Sequence, residues 1–338
     1  MASSECKSRQ FSSPKRVPEL NRRQFVANSV VGVAATALAL PLTGLAAAGK
    51  PKPKPRRVLI DSDAKNEIDD QYAIVRALIA PELRIEGITA AGFHDRERGA
   101  KRSHAEILRI LELTGLTGKI PAALGSSDPM TDKRTPRPTD ATALIIERAL
   151  ADDPEPLYVL GLGQFTNLAS ALLIEPKIRD RVVYACIDGD YKHGQTPAWG
   201  RGIYDWKLDV PAVQAIFESD VRYIHMPDRS VSGKMYITRT EVEKRLRNRG
   251  PVYDFLVSLW NEGEFRKLKG KILWDIALIH VMIDPSHGKR VTVPAPIVHD
   301  NGATRDAPAN ERKVDVYADI TPAEIYRSFW EAVDAQTG

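Results

Sequence analysis

The chain has 338 residues, a formal charge of +4, 43% hydrophobic and 27% charged side chains. That balance excludes a disordered, collagen-like or coiled-coil chain over most of the length. Its two cysteines exclude a disulfide-rich scaffold and a four-cysteine zinc site.

Residues 1–48 hold six basic side chains (Lys7, Arg9, Lys15, Arg16, Arg22 and Arg23) and two acidic ones, Glu5 and Glu19. Equal numbers of each sign remain beyond them, so the basic character belongs to the leader. A polyanion-binding body loses its main support, and no nucleic-acid partner is expected. Arg22-Arg23 precede an apolar run from Val26 to Ala48 that ends in Ala46-Ala47-Ala48, the small-residue pattern of a signal-peptidase site. Paired arginines before such a run resemble a twin-arginine signal, which implies export to the periplasm or beyond. The alternative is an uncleaved anchor, because about 20 apolar residues span a bilayer. Pro41, Gly44 and the alanine triplet weaken the last turns of such a helix and favour cleavage. No Cys closes the run, so a lipid anchor has no support. Residues 49–56 read as a stiff Lys/Pro linker. Cys6 leaves with the leader, and Cys186 then has no intrachain partner.

Residues 57–338 form the expected folded domain. Short apolar runs predict strands at Val58–Ile60, Ile85–Ala91, Leu157–Leu160, Val182–Ile187, Val221–His225 and Val291–Ile297. Helical patterns alternate with them at Asp69–Ile79, His104–Thr114, Ala141–Ala151, Thr166–Leu173, Val210–Phe217, Val252–Trp260 and Asp275–Ile283. Strand–helix alternation predicts a single α/β domain: a mostly parallel, Rossmann-like sheet with helices on both faces. Such sheets bind ligands outside the carboxyl ends of their strands. The segments around 194–202 and 238–249 read as inserts.

The first strand runs into Asp61-Ser62-Asp63, and a loop leads to Asp69-Asp70 at a helix start. A helix N-terminus accommodates one or two acids. Four carboxylates exceed what capping requires, and their repulsion calls for a cation. Oxygen donors select Ca²⁺ or Mg²⁺ over Zn²⁺. A capped helix with a solvated acidic loop is the plainer alternative.

Two families resemble this motif. Haloacid-dehalogenase-like Mg²⁺ phosphatases carry Asp-x-Asp after a strand, but Lys65 stands where they have Thr or Val. The better likeness is to the inosine/uridine-preferring nucleoside hydrolases, which open with Asp-x-Asp-Pro-Gly-x-Asp-Asp. Here the segment from Asp61 to Asp70 is two residues longer and lacks Pro-Gly. Three further stretches follow in the family's order. Tyr158 to Leu168 resembles its strand and Gly-Pro-Leu-Thr-Asn-Leu. Asp205-Trp206-Lys207-Leu208-Asp209-Val210-Pro211-Ala212 resembles Asn-Ile-x-x-Asp-Pro-Glu-Ala. Leu273-Trp274-Asp275-Ile276-Ala277 resembles Met-His-Asp-x-x-Ala, and Asp284-Pro285-Ser286 follows.

The resemblance covers about Arg57 to Ala335. It implies Ca²⁺ held by Asp63, Asp70, Asp275 and the Leu162 carbonyl, and hydrolysis of ribonucleoside N-glycosidic bonds to ribose and free base. Asp63 would also act as base on the metal-held water. Asp69, Asp205 and His94 would bind the ribose, and Trp274 would stack on the base. Two family positions differ: Ile203 replaces a sugar-binding Glu, and Trp274 replaces a leaving-group His. His193, His94 and Tyr191 are candidate leaving-group acids, and Trp206 and Trp199 further stacking candidates. Lys65 in the longer loop reaches the metal site, an anionic substrate group or solvent. A homodimer or homotetramer is the family expectation. A divergent site acting on another ribosyl-like compound, or binding without turnover, is the alternative reading. The zinc-protease, phosphate-loop, hydrolase-elbow and zinc-deaminase motifs are absent.

Overall fold

Val58-Leu59-Ile60 is apolar without alternation, the pattern of a strand covered on both faces. The computed structural model describes residues 54–194 and 198–337. There this run is the core of β1 (Arg56–Ser62), in which every residue after Arg56 is buried. Val58 and Ile60 enter one apolar layer, with Tyr72, Ile276 and Phe329. Leu59 enters the other, with Leu168, Val213 and Ile216. The leader at 1–48 and all of the linker before Lys54 lie outside the described residues.

The remaining strands of the main sheet are β2 (Leu83–Ala90), β3 (Ala122–Leu124), β4 (Leu157–Gly161), β5 (Val182–Ile187), β6 (Arg222–Met226), β7 (Gly288–Pro294) and β8 (Lys313–Ile320). Their spatial order is β7-β8-β6-β5-β4-β1-β2-β3. Every neighbouring pair is parallel except β7 with β8. The helices are α1 (Asp69–Leu78), α2 (Gly99–Leu113), α3 (Asp140–Leu150), α4 (Thr166–Ile174), α5 (Asp205–Leu208), α6 (Val210–Glu218), α7 (Arg239–Leu246), α8 (Pro251–Ser258), α9 (Ile276–Ile283) and α10 (Pro322–Thr337). Residues of α1, α2, α8, α9 and α10 pack in the first layer, and those of α3, α4 and α6 in the second. This is the α/β sheet with helices on both faces that the alternation predicted. Among the described residues no helix is long and apolar enough to cross a membrane.

The last predicted strand is displaced: β7 ends at Pro294 rather than running to Ile297. Proline lacks the N–H needed to continue the ladder. Residues 238–249, expected as an insert, contain α7, and Ala198–Trp199 within the other expected insert pairs with Tyr191–Lys192 just before it.

Two contacts pin α1, which presents the acidic pair. Tyr72 Oη donates to the Leu256 carbonyl at 2.7 Å and accepts from Trp260 Nε1 at 2.9 Å. Beside α1, α9 is buried from Ile276 to Met282. Its His280 lies 2.7 Å from His287 Nδ1, while its own Nδ1 has no partner. Burial, then the Arg76 and His287 charges, push the His280 pKa down to about 3, against a smaller opposing pull from Asp284. An unfolded histidine titrates at roughly 6.5, so protons favour the unfolded chain as pH drops from there toward the folded value. Stability is therefore full above pH 6.5 and declines below it. His280→Gln should flatten that decline, read as the thermal midpoint between pH 6.5 and 4.

Candidate active site

The carboxyl ends of β1, β4, β5 and β6 meet around a cavity of about 220 Å³. This is where a parallel sheet leaves strand-end backbone and loops free to hold a ligand. Strand alternation divides the opening acidic motif between the two faces. Ser62 turns toward α1, and its hydroxyl donates to Asp70 Oδ1 at 2.5 Å. Asp61 turns the other way, accepting from Thr89 Oγ1 at 2.6 Å and Asn167 Nδ2 at 2.8 Å. It therefore does not join the other three carboxylates, contrary to the convergence of four read from the sequence. Burial pushes the Asp61 pKa up to about 6 against those two hydrogen bonds.

Asp63, Asp69, Asp70, Leu162, Asp205, Trp274 and Asp275 all line the cavity. Asp69, Asp70 and Asp275 each bring one oxygen within 4.8 Å of the others, and all three are buried. Asp63 and Asp70 also act directly on one another. Burial first, and the neighbouring carboxylates second, hold Asp63 and Asp275 well above the usual carboxylate range. Asp70 is pushed up to about 7, mainly by burial and then by Asp69. Such a set is costly without a cation, and oxygen donors alone suit a hard one. The buried Asp63 Oδ2 has no hydrogen-bond partner. The acidic cluster is thus able to hold a metal ion.

Not all four acids are equally free to ligate. Asp69 Oδ1 faces Lys271 Nζ at 3.3 Å, and its Oδ2 accepts the Trp274 backbone N–H at 3.1 Å. Lys271 also pairs with Glu67. Burial lowers the Lys271 pKa, but the Asp69 and Glu67 charges outweigh it and hold the ammonium charged. Asp63, by contrast, has an uncommitted oxygen, and Gly163 allows the loop after β4 to press against it. A Cβ on Gly163 would sit 3.0 Å from the Asp63 Cβ.

The loop before α5 supplies another part of the cavity wall. Asp188, at the end of β5, accepts backbone N–H groups from Ile203 at 2.9 Å, Tyr204 at 3.1 Å and Trp206 at 2.6 Å. That clamp turns Asp205 inward, where its buried Oδ1 has no partner. Burial and the Asp188 charge keep Asp205 well above its ordinary pKa.

His94 is exposed and reaches the cavity only through Tyr204, whose hydroxyl lies 3.0 Å from His94 Nδ1 and donates to Asn66 Oδ1 at 3.0 Å. Trp206 and Trp199 are core residues, 1% and 8% exposed, packed with Phe217 and His225, and offer no stacking face to a ligand. Tyr191 and His193 pack on each other outside the cavity, with His193 against the Tyr317 carbonyl. Lys65 turns away from the acids and pairs with Glu106 at 3.2 Å and Glu262 at 2.8 Å. Lys65→Ala should therefore cost about 1 kcal/mol of stability by denaturant titration. It should change kcat by less than about tenfold, a factor worth about 1.4 kcal/mol.

Asp188, Asp228, Tyr204 and Lys271 were not singled out from the sequence as functional. Asp188 and Asp228 each follow a predicted strand, the position that faces the ligand crevice, and that signal was available. Lys271 has no local signal, because its partners lie about 200 positions away.

The inosine-uridine preferring nucleoside hydrolase profile matches residues 58–327. A pyrimidine-specific ribonucleoside hydrolase RihA from Salmonella newport is 25% identical over 221 residues, covering 60% of this chain and 69% of that protein. The RihA of Citrobacter koseri is 27% identical over 225 residues, with the same coverage. A plant nucleoside hydrolase, PpNRh1, superposes with a TM-score of 0.69 at 19% identity, over 83% of this chain and 99% of its own. A purine-preferring ribonucleoside hydrolase from Gardnerella vaginalis gives 0.64 at 18% identity, over 83% and 99%. Those two structures speak for the fold alone. The profile match spans most of the folded domain, and with it the chain belongs to the inosine-uridine preferring nucleoside hydrolases, a family of N-glycosyl hydrolases.

Proposed function

We propose that the mature chain is an exported, Ca²⁺-dependent hydrolase that splits ribonucleosides into ribose and free base. The observation that carries this reading is the buried, unpartnered oxygen of Asp63, a carboxylate that acts electrostatically with both Asp70 and Asp275. Asp63, Asp70, Asp275 and the Leu162 carbonyl would hold the ion, an all-oxygen set that suits calcium. A bound divalent cation supplies a polarised water with a lowered pKa.

Asp63, whose buried Oδ2 is unpartnered, would accept a proton from the attacking water. Asp69, fixed by Lys271 and the Trp274 N–H, is oriented toward sugar hydroxyls. Asp205 offers its unpartnered oxygen, and His94 acts on the sugar side through Tyr204. Trp274 forms an aromatic wall for the base. The Arg22-Arg23 pair and the apolar run after it support export. Relatives named for pyrimidine and for purine specificity both resemble this chain, so their names do not choose the base.

The test is to incubate the purified mature chain, with calcium, with uridine, cytidine, inosine and adenosine, and to assay reducing sugar. Ribose is expected from at least one. No release from any of the four, with calcium shown to be bound, overturns the proposal.

A further inference from the structure

Away from the strand-end cavity, α1 and α9 hold a second charged group, of the opposite sign. Arg76, in the last turn of α1, is 3% exposed, and His280 of α9 is fully buried. The two are neighbours, since the Arg76 charge helps to push the His280 pKa down. Among the guanidinium nitrogens only Nη2 has a partner, the Ser328 hydroxyl of α10 at 3.1 Å. Arg76 Nε, Arg76 Nη1 and His280 Nδ1 are buried without a hydrogen-bond partner. The guanidinium nitrogens can only donate. When His287 Nδ1 donates to His280 Nε2, the His280 proton sits on Nδ1, which then donates as well.

Among the described residues no carboxylate pairs with these donors. Glu82 is exposed and acts on Arg76 without forming an ion pair. The Asp284 side chain is 45% exposed and accepts the N–H and the hydroxyl of Ser286. A buried charge is costly unless it is paired. Burial pulls the Arg76 pKa down only to about 10, so the guanidinium is charged at neutral pH. His280, at about 3, is neutral there. Together the two side chains carry one positive charge and unfilled N–H donors, the inverse of the acidic cavity.

We propose that Arg76 Nε and Nη1, with His280 Nδ1, form a buried site for one small monovalent anion of the halide class, chloride foremost. A single negative charge balances the single positive one. Donor atoms closed off from solvent favour an ion about the size of a water molecule over a larger oxyanion. The anion takes the guanidinium N–H groups and fixes the His280 tautomer. Its place in the fold gives it a use. α1 opens with Asp69 and Asp70, and α9 begins directly after Asp275. Arg76 lies two turns beyond Asp69, about 10 Å along the helix. The ion therefore fastens the far ends of the two helices whose near ends present the acids. This site is independent of what the strand-end cavity hydrolyses.

Two arms test the proposal on the full mature chain, with calcium supplied as gluconate. In the first, sodium chloride replaces sodium gluconate at constant ionic strength while the thermal midpoint is read. An anion bound only by the folded chain should raise the midpoint by about 2 °C for each tenfold step of chloride above its Kd. Arg76→Gln should abolish that dependence, whatever its own midpoint, and Lys101→Gln, at an exposed cation, should keep it. In the second arm, crystals of the unsubstituted chain are soaked in sodium bromide. An anomalous peak is expected against Arg76 and His280. A midpoint indifferent to chloride, or a dependence that survives Arg76→Gln, overturns the proposal. So does a bromide-soaked structure with only water against these nitrogens. Should Arg76→Gln fail to fold, the bromide peak decides alone.

Discussion

Asp63→Asn is expected to lower kcat/KM for glycosidic hydrolysis by about a thousandfold or more, within the range of about 10²–10⁴ known for a lost general base plus a lost ligand. The amide cannot accept the water's proton, and it offers one weak oxygen where a full carboxylate stood. Calcium binding, read by calorimetry, should weaken in the same variant. The stability of the metal-free protein should move in the opposite direction. Asp63 is buried among Asp70, Asp205 and Asp69, all of which raise the cost of its charge. Removing that charge should stabilise the calcium-free chain at pH 8, read as a higher denaturant midpoint. A variant that loses activity but also loses calcium-free stability would point to a packing role instead.

The second large effect lies at Lys271. Its ammonium, 8% exposed, is the cation that faces both Asp69 and Glu67. Lys271→Met keeps the stem and leaves a buried carboxylate uncompensated, a change worth about 3–5 kcal/mol in comparable pairs. The denaturant midpoint should fall accordingly. Activity should fall as well, because Asp69 would then be held only by the Trp274 N–H. Adding Asp69→Asn to Lys271→Met should recover much of the lost stability, since the two residues are directly coupled. Additive losses in the double variant would show that the pair is not coupled.

Much of the fold was legible because burial on both faces leaves a local trace. β5 falls at Val182–Ile187 as predicted, and β1, β2, β4 and β6 differ only at their ends. Among the elements overlooked, two carry a readable pattern. β8 alternates Val314, Val316 and Ile320 with Asp315 and Asp319, the mark of a strand with one wetter face. In α10, Ile325, Phe329 and Val333 recur every four residues, a readable helical stripe. β3, only three residues long, carries too few side chains for any period to emerge. In the site, the acids at 63, 69, 70, 205 and 275 were legible because motif order tied them together. The fate of Lys65 was not, since Glu106 and Glu262 become its neighbours only through folding. Nor was the burial of Trp206 and Trp199, because an aromatic residue near a motif looks the same in sequence whether it faces ligand or core.

The most direct measurement is a crystal structure of the mature chain grown with calcium chloride. One ion is expected, bound by carboxylate oxygens of Asp63, Asp70 and Asp275 and by the Leu162 carbonyl at about 2.3–2.6 Å. A water on that ion within hydrogen-bond reach of Asp63 is expected with it. No ion at this cluster at saturating calcium, or an ion held without Asp63 and Asp275, would contradict that expectation.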